Sequence, residues 1–105
     1  MKLLTQEVLD RLPSNDDTAE LGIDDLTVQV KFFNPTGAAT WYVYSYDPDS
    51  GIGYGLCDLG MGYPELGAVS IPELQAFKGM FGLGIERDIH FKPTALSTLM
   101  EKVGA

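Results

Sequence analysis

The sequence predicts an α+β fold: a single antiparallel sheet of about five strands, a meander at its core, with helices before, within and after it. Three observations predict it. Residues Leu26 to Leu59 alternate apolar and polar at the period of half-buried strands, cut by two turns bearing proline and glycine. Stretches near both chain ends carry apolar residues at helical spacing instead. No repeat, low-complexity tract or long linker interrupts the 105 residues, so 1-105 reads as a single domain with one modest core.

Thr5 is placed to cap a first helix running to about Leu12. Its side-chain oxygen can accept from a free N–H of the first turn, and Gln6 and Glu7 suit the positive end. Leu4, Val8, Leu9 and Leu12 form one apolar stripe, and Pro13 stops the helix. Ser14 to Asp25 is a polar loop holding Asp16, Asp17, Glu20, Asp24 and Asp25. It reads as a solvated connection, or as a negatively charged contact surface. Its acids lack the spacing of a calcium loop.

The first strand is Leu26 to Phe32, and Asn34-Pro35-Thr36-Gly37 turns the chain. The second strand, Thr40 to Tyr46, is dense in aromatic and β-branched residues. Asp47-Pro48-Asp49-Ser50-Gly51 is the next turn, and Ile52 to Leu59 the third strand. If Phe33 faces Ala38, Val30 lies beside Trp41 and Val28 beside Val43. If Tyr46 faces Ile52, Tyr44 lies beside Tyr54 and Tyr42 beside Leu56. One face then carries Leu26, Val28, Val30, Phe32, Trp41 and Val43 as the core. The other carries Tyr42, Tyr44, Tyr46, Tyr54, Lys31 and Gln29. A slip by one residue would bury Lys31 and Gln29 and is rejected.

Glu65 to Val69 reads as a short fourth strand. Ser70 caps the following helix, Ile71 to about Phe77, with Glu73 closing a capping box and Pro72 in the first turn. Ile85 to Phe91 alternates again as a fifth strand, with Ile85, Arg87, Ile89 and Phe91 on one face and Glu86, Asp88 and His90 on the other. Pro93 ends it. Thr94 to Val103 is the last helix, apolar at Leu96, Leu99 and Met100.

Charge bounds the function. The net charge is -8 and the pI near 4.3, and only seven Lys and Arg are scattered along the chain. Phosphate backbones repel such a surface, which argues against direct nucleic-acid binding. The acidity reads first as ordinary solubility; the alternative is contact with a basic protein, or with a protein groove built for DNA. No apolar run approaches the roughly 20 residues that span a bilayer. Gln6, Glu7 and Asp10 break the N-terminal apolar stretch too early for a secretory signal, so the expected location is cytoplasmic. Cys57 is the only cysteine and His90 the only histidine, which leaves no disulfide within the chain and no expected metal or cofactor site.

Few motifs carry chemistry. Gly51-Ile52-Gly53-Tyr54-Gly55 lacks the following helix and the lysine of a phosphate loop, and reads as room for a bulge or for Trp41 and Val43. Cys57 reads as a small apolar residue rather than a nucleophile. Arg87, set by pattern among Ile85, Ile89 and Phe91, needs a carboxylate such as Glu65 or Glu73 as a structural ion pair, or else binds an anion in a pocket. Glu86, Asp88 and His90 form either an exposed polar face or an acid–base trio. The tyrosine row Tyr42, Tyr44, Tyr46 and Tyr54 combines apolar area with hydroxyls and is the leading candidate contact surface, unless a helix covers it.

These residues also resemble a bacterial family of unknown function, DUF2958. The likeness runs through Leu3-Leu4-Thr5 with Leu12-Pro13, Lys31-Phe32-Phe33 with Pro35, and Trp41-Tyr42. It continues through Glu65-Leu66-Gly67, Ser70 with Glu73-Leu74, and Ile85-Glu86-Arg87-Asp88 followed by Phe91 and Pro93. Ser45 and Ala68 depart from it. The resemblance implies an accessory role in the biology of plasmids and integrative elements, and brings no catalytic residue. The expected function is a non-enzymatic protein-interaction module. One alternative is an acidic DNA mimic of the antirestriction type. Another is a small enzyme using Arg87 with Glu86, Asp88 or His90.

Overall fold

A computed structural model describes residues 1–105. Its helices are α1 (Gln6–Arg11), α2 (Asn15–Thr18), α3 (Ile71–Ala76) and α4 (Leu96–Val103). Its strands are β1 (Thr27–Val28), β2 (Val30–Phe33), β3 (Thr40–Asp47), β4 (Ile52–Asp58), β5 (Glu65–Ser70), β6 (Glu86–Arg87) and β7 (Thr94–Ala95). A five-stranded antiparallel sheet has the order β5-β4-β3-β2-β6, and β1 pairs with β7 in a separate ribbon. The meander β2 to β5 is closed on its far edge by β6, which follows α3. The expected α+β class and the three expected helices are present, and a short α2 is added.

The caps follow the sequence. Thr5 accepts from the Val8 N–H at 3.3 Å, and Ser70 from the Glu73 N–H at 3.4 Å. Ser14 does the same for α2, accepting from Asp17 at 3.1 Å. The Ser14–Asp25 segment is therefore not wholly a loop. Its Ser-x-x-Asp start is a helix signal in its own right.

Both faces of the sheet are interior. The first layer buries Leu3, Val8, Val30, Phe32, Val43, Val69, Ile71 and Ile85, with Trp41 packed beside them. The second buries Leu26, Val28, Leu56, Leu96 and Leu99, with Tyr42, Tyr44 and Phe91 alongside. Leu26 and Val28 thus sit on the face opposite Val30 and Phe32, against expectation. The first strand is broken at Gln29, whose N–H reaches the Val43 carbonyl at 3.0 Å while Val30 also pairs with Val43. Two residues face one, and the extra residue turns everything before it to the other side.

A second irregularity lies on β3, where the register with β4 shifts between Val43 and Ser45. Tyr42 faces Leu56 as expected, but Ser45 faces Tyr54 and Tyr46 faces Gly53. The Tyr44–Tyr54 and Tyr46–Ile52 pairings do not form. The glycines of β4 explain how β3 fits there. A Cβ on Gly55 would run into the Tyr42 carbonyl, and one on Gly53 would lie 2.7 Å from the Ser45 carbonyl.

The first hairpin is also longer than expected. Phe33 pairs with Thr40 and Val30 with Val43, a slide of two residues that preserves the faces. The Asn34 carboxamide sets the loop by accepting from the Thr36 N–H at 3.0 Å, and the Asn34 N–H closes it on Ala39.

The expected fifth strand is short. Asp88 accepts from the His90 N–H at 2.9 Å and its carbonyl from Phe91, so the chain turns straight after β6. Ile89 is consequently 67% exposed rather than buried with Ile85. Phe91 crosses to the second layer, its ring 6.3 Å from that of Tyr42.

Candidate functional site

The tyrosines do not form one row. Tyr42 and Tyr44 lie in the second layer, Tyr42 beneath Phe91 and the α4 side of the molecule. Tyr46 lies beyond the β3 irregularity and packs on the first layer. Tyr54 remains on the second face and is 40% exposed. A period-two count carried through the bulge is what put Tyr46 with the others. Lys31 keeps its expected side, with its ammonium 5.7 Å from the Tyr42 ring centre.

Tyr44 and Tyr54 instead meet the acidic segment. Together with Asn15, Asp16, Ala19 and Leu21 they line a groove of about 380 Å³. Its floor is fixed from below. Ser45, fully buried, donates its hydroxyl to the Asn15 side chain at 2.7 Å, and Asn15 donates to the Ile52 carbonyl at 3.0 Å. Those bonds tie α2 to the bulged part of β3 and hold Asp16 at the rim. Burial pushes the Tyr44 hydroxyl above its usual range, and the nearby Tyr54 adds to the effect.

The same face continues onto the sheet edge. Tyr54 pairs with Ala68 and Leu56 with Leu66, and on β5 both Ala68 and Leu66 are exposed. β5 ends the strand order, so its outer edge pairs with no strand. It runs for six residues, Glu-Leu-Gly-Ala-Val-Ser, without the lysine or proline that usually blunts such an edge. The opposite edge is guarded: β6 has two residues, and the Arg87 N–H meets the Met1 sulfur at 3.1 Å.

The other candidates separate. Arg87 pairs with neither Glu65 nor Glu73. It donates to the backbone carbonyls of Lys2 and Leu3 at 2.7 and 3.2 Å, clamping the N-terminal segment. Asp88 sits 3.5 Å from Lys31, and His90 lies in the exposed turn rather than on a strand face with Glu86. Cys57 packs against the first layer, and burial raises its thiol above the ordinary range, away from a reactive thiolate. No three of the His, Cys, Asp and Glu side chains come together closely enough to hold a metal ion. No helix is long and apolar enough to cross a membrane. Sequence reasoning did not single out Asn15, the residue that anchors the groove.

Among known proteins, a family model described as Protein of unknown function (DUF2958) matches residues 3–103. No curated protein and no solved structure matches the chain.

Proposed function

From the premise that this chain belongs to the DUF2958 family, we propose that it is a non-enzymatic protein-interaction module, an accessory protein of mobile genetic elements, that takes a basic segment of a partner protein into the Tyr54–Asp16 groove. The observation that supports this reading is the convergence of an exposed tyrosine, an apolar wall and an acidic rim in one groove. A lysine or arginine entering it meets the Tyr54 ring face, and its charge meets Asp16. The net charge of -8 favours a basic partner and speeds its approach. The open β5 edge beside the groove offers backbone groups to an extended segment that continues past it.

The test begins with a photo-crosslinking amino acid at Ala19 in cells that carry the native gene. The captured protein is then purified and its binding measured by calorimetry. Tyr54→Ala and Asp16→Asn are each expected to weaken binding about tenfold, a cost typical of a desolvated cation–π or charge pair. Raising the salt is expected to weaken the wild type more than Asp16→Asn. A captured protein that binds both variants as tightly as the wild type, or no capture at all, overturns the proposal.

A further inference from the structure

A second cleft, of about 290 Å³, opens between α1, Gln29 and the β6 end of the sheet and shares no residue with the first. Its charged lining includes both Arg11 and Arg87, two of only seven cations in a chain of net charge -8. The lining also holds two acids, Glu7 and Asp88, but neither makes a close, two-pronged pair with a guanidinium group. Arg11 reaches Glu7 only at 3.4 Å, and that Glu7 side chain is 86% exposed. Its Nη2 donates to the Gln29 carbonyl at 3.1 Å, and its Nε is buried with no partner at all. Arg87 uses Nη1 on the carbonyls of Lys2 and Leu3, and the other N–H groups of its guanidinium donate to nothing in the chain. Asp88, the other acid of the lining, is already engaged: one oxygen accepts from His90 and the other faces Lys31.

The cleft therefore keeps unspent guanidinium donors on both arginines, beside the exposed Glu7 carboxylate at its mouth. Thr5 accepts from Val8 and its hydroxyl proton is uncommitted, while the Gln29 side chain makes no hydrogen bond. A guanidinium fork matches the paired oxygens of a carboxylate or phosphate. Apolar Val8, Ile89 and Phe91 complete the wall. We propose that this cleft binds a small organic oxyanion, its carboxylate or phosphate head held between Arg11 and Arg87 and its apolar body against Ile89 and Phe91. The site is distinct from the Tyr54 groove, so either proposal can fail without the other. Overall acidity does not forbid it, because distant charges are screened beyond about 8 Å at physiological salt.

The experiment is a titration of the full chain, followed by the side-chain Nε resonances of the arginines. The probes are phenyl phosphate, benzoate, inorganic phosphate and the neutral benzyl alcohol. Saturable shifts of the Arg11 and Arg87 signals are expected with at least one organic anion. Inorganic phosphate is expected to bind more weakly, and benzyl alcohol not at all. Whether phenyl phosphate or benzoate binds tighter identifies the head group. Arg11→Gln is expected to weaken binding at least about tenfold, the loss of one charge-assisted contact. Arg11→Lys keeps the charge but loses the fork and is expected to fall between. Because Arg87 also holds the N-terminus, Gln29→Ala replaces it as the second variant. Equal binding of benzyl alcohol, no saturation by about 10 mM of any anion, or unchanged affinity in Arg11→Gln overturns the assignment.

Discussion

Gly55 and Gly67 face each other across β4 and β5, and the structure assigns them opposite tolerances. A methyl group at Gly55 collides with the Tyr42 carbonyl, and its next neighbour is the Val43 Cα, both backbone atoms of the bulged strand. Backbone in the middle of a sheet cannot swing aside as a flexible side chain does. The cost of Gly55→Ala therefore falls at the upper end of overpacking, about 3 kcal/mol. A methyl group at Gly67 meets nothing within 4 Å, and its backbone is not left-handed. Gly67→Ala instead restricts the unfolded chain and is expected to stabilise by about 0.4–1 kcal/mol. For a domain of this size that is a drop in Tm of roughly 12–24 °C for Gly55→Ala, against a rise of roughly 2–8 °C for Gly67→Ala. Urea unfolding followed by circular dichroism reads the same difference as a shift in midpoint at unchanged slope. Equal effects of the two variants, or a Gly55→Ala protein within about 0.5 kcal/mol of the wild type, would refute the claim that close approach of β3 dictates glycine at position 55.

Tyr44 gives a pH dependence. Burial raises its folded-state pKa above the ordinary 10.0, so above pH 10 the unfolded chain loses this proton before the folded one does. Its contribution is constant below that pH and destabilising above it. Tyr44→Phe should flatten part of the fall in stability measured between pH 9 and 11, an interval set around that ordinary value. Cys57, with its raised thiol pKa, should react slowly with a thiol-labelling reagent in the folded protein and quickly in urea. Fast labelling of the folded form would contradict its packing on the first layer. Ser70→Ala removes the acceptor for the Glu73 N–H and should cost about 1 kcal/mol by thermal melting. A loss below about 0.3 kcal/mol would mean the α3 cap is satisfied otherwise.

Much of this architecture is legible in the residues. Thr5 and Ser70 announce their helices, and the turns at Pro35 and Pro48 separate the strands. Period-two alternation finds the first layer through Val30, Phe32 and Val43. What defeats it is any residue that breaks the count. Gln29 and Tyr44 look like ordinary polar and aromatic strand positions, and only the strand opposite shows each to be an extra residue in its pairing: Val43 takes both Gln29 and Val30, and the consecutive Gly55 and Tyr54 pair with Val43 and Ser45, passing over Tyr44. Leu26 and Val28 then fall on the wrong face although their burial is correctly foreseen, and Tyr46, expected on the outward face, packs half-buried on the first layer. Asp88 cuts the last strand short through its side chain, a turn that competes with the extended conformation suggested by Ile85, Ile89 and Phe91. Arg87 was visible as an unusual charge, but backbone carbonyls leave no trace in a sequence, so its true partners at Lys2 and Leu3 were not. Arg11 had one signal, the helical spacing to Glu7.

The interruption at Gln29 has a consequence for how this chain can vary. It acts as a phase inverter between the N-terminal half of the strand and the hairpin beyond it. Deleting that single residue would rotate Leu26 and Val28 by half a turn, withdrawing them from Leu96 and Leu99 and delivering them to a layer already filled by Leu3 and Val8. Length changes at this point should therefore be rejected where substitutions of Gln29 itself are accepted, making position count, rather than side-chain identity, the inherited quantity there.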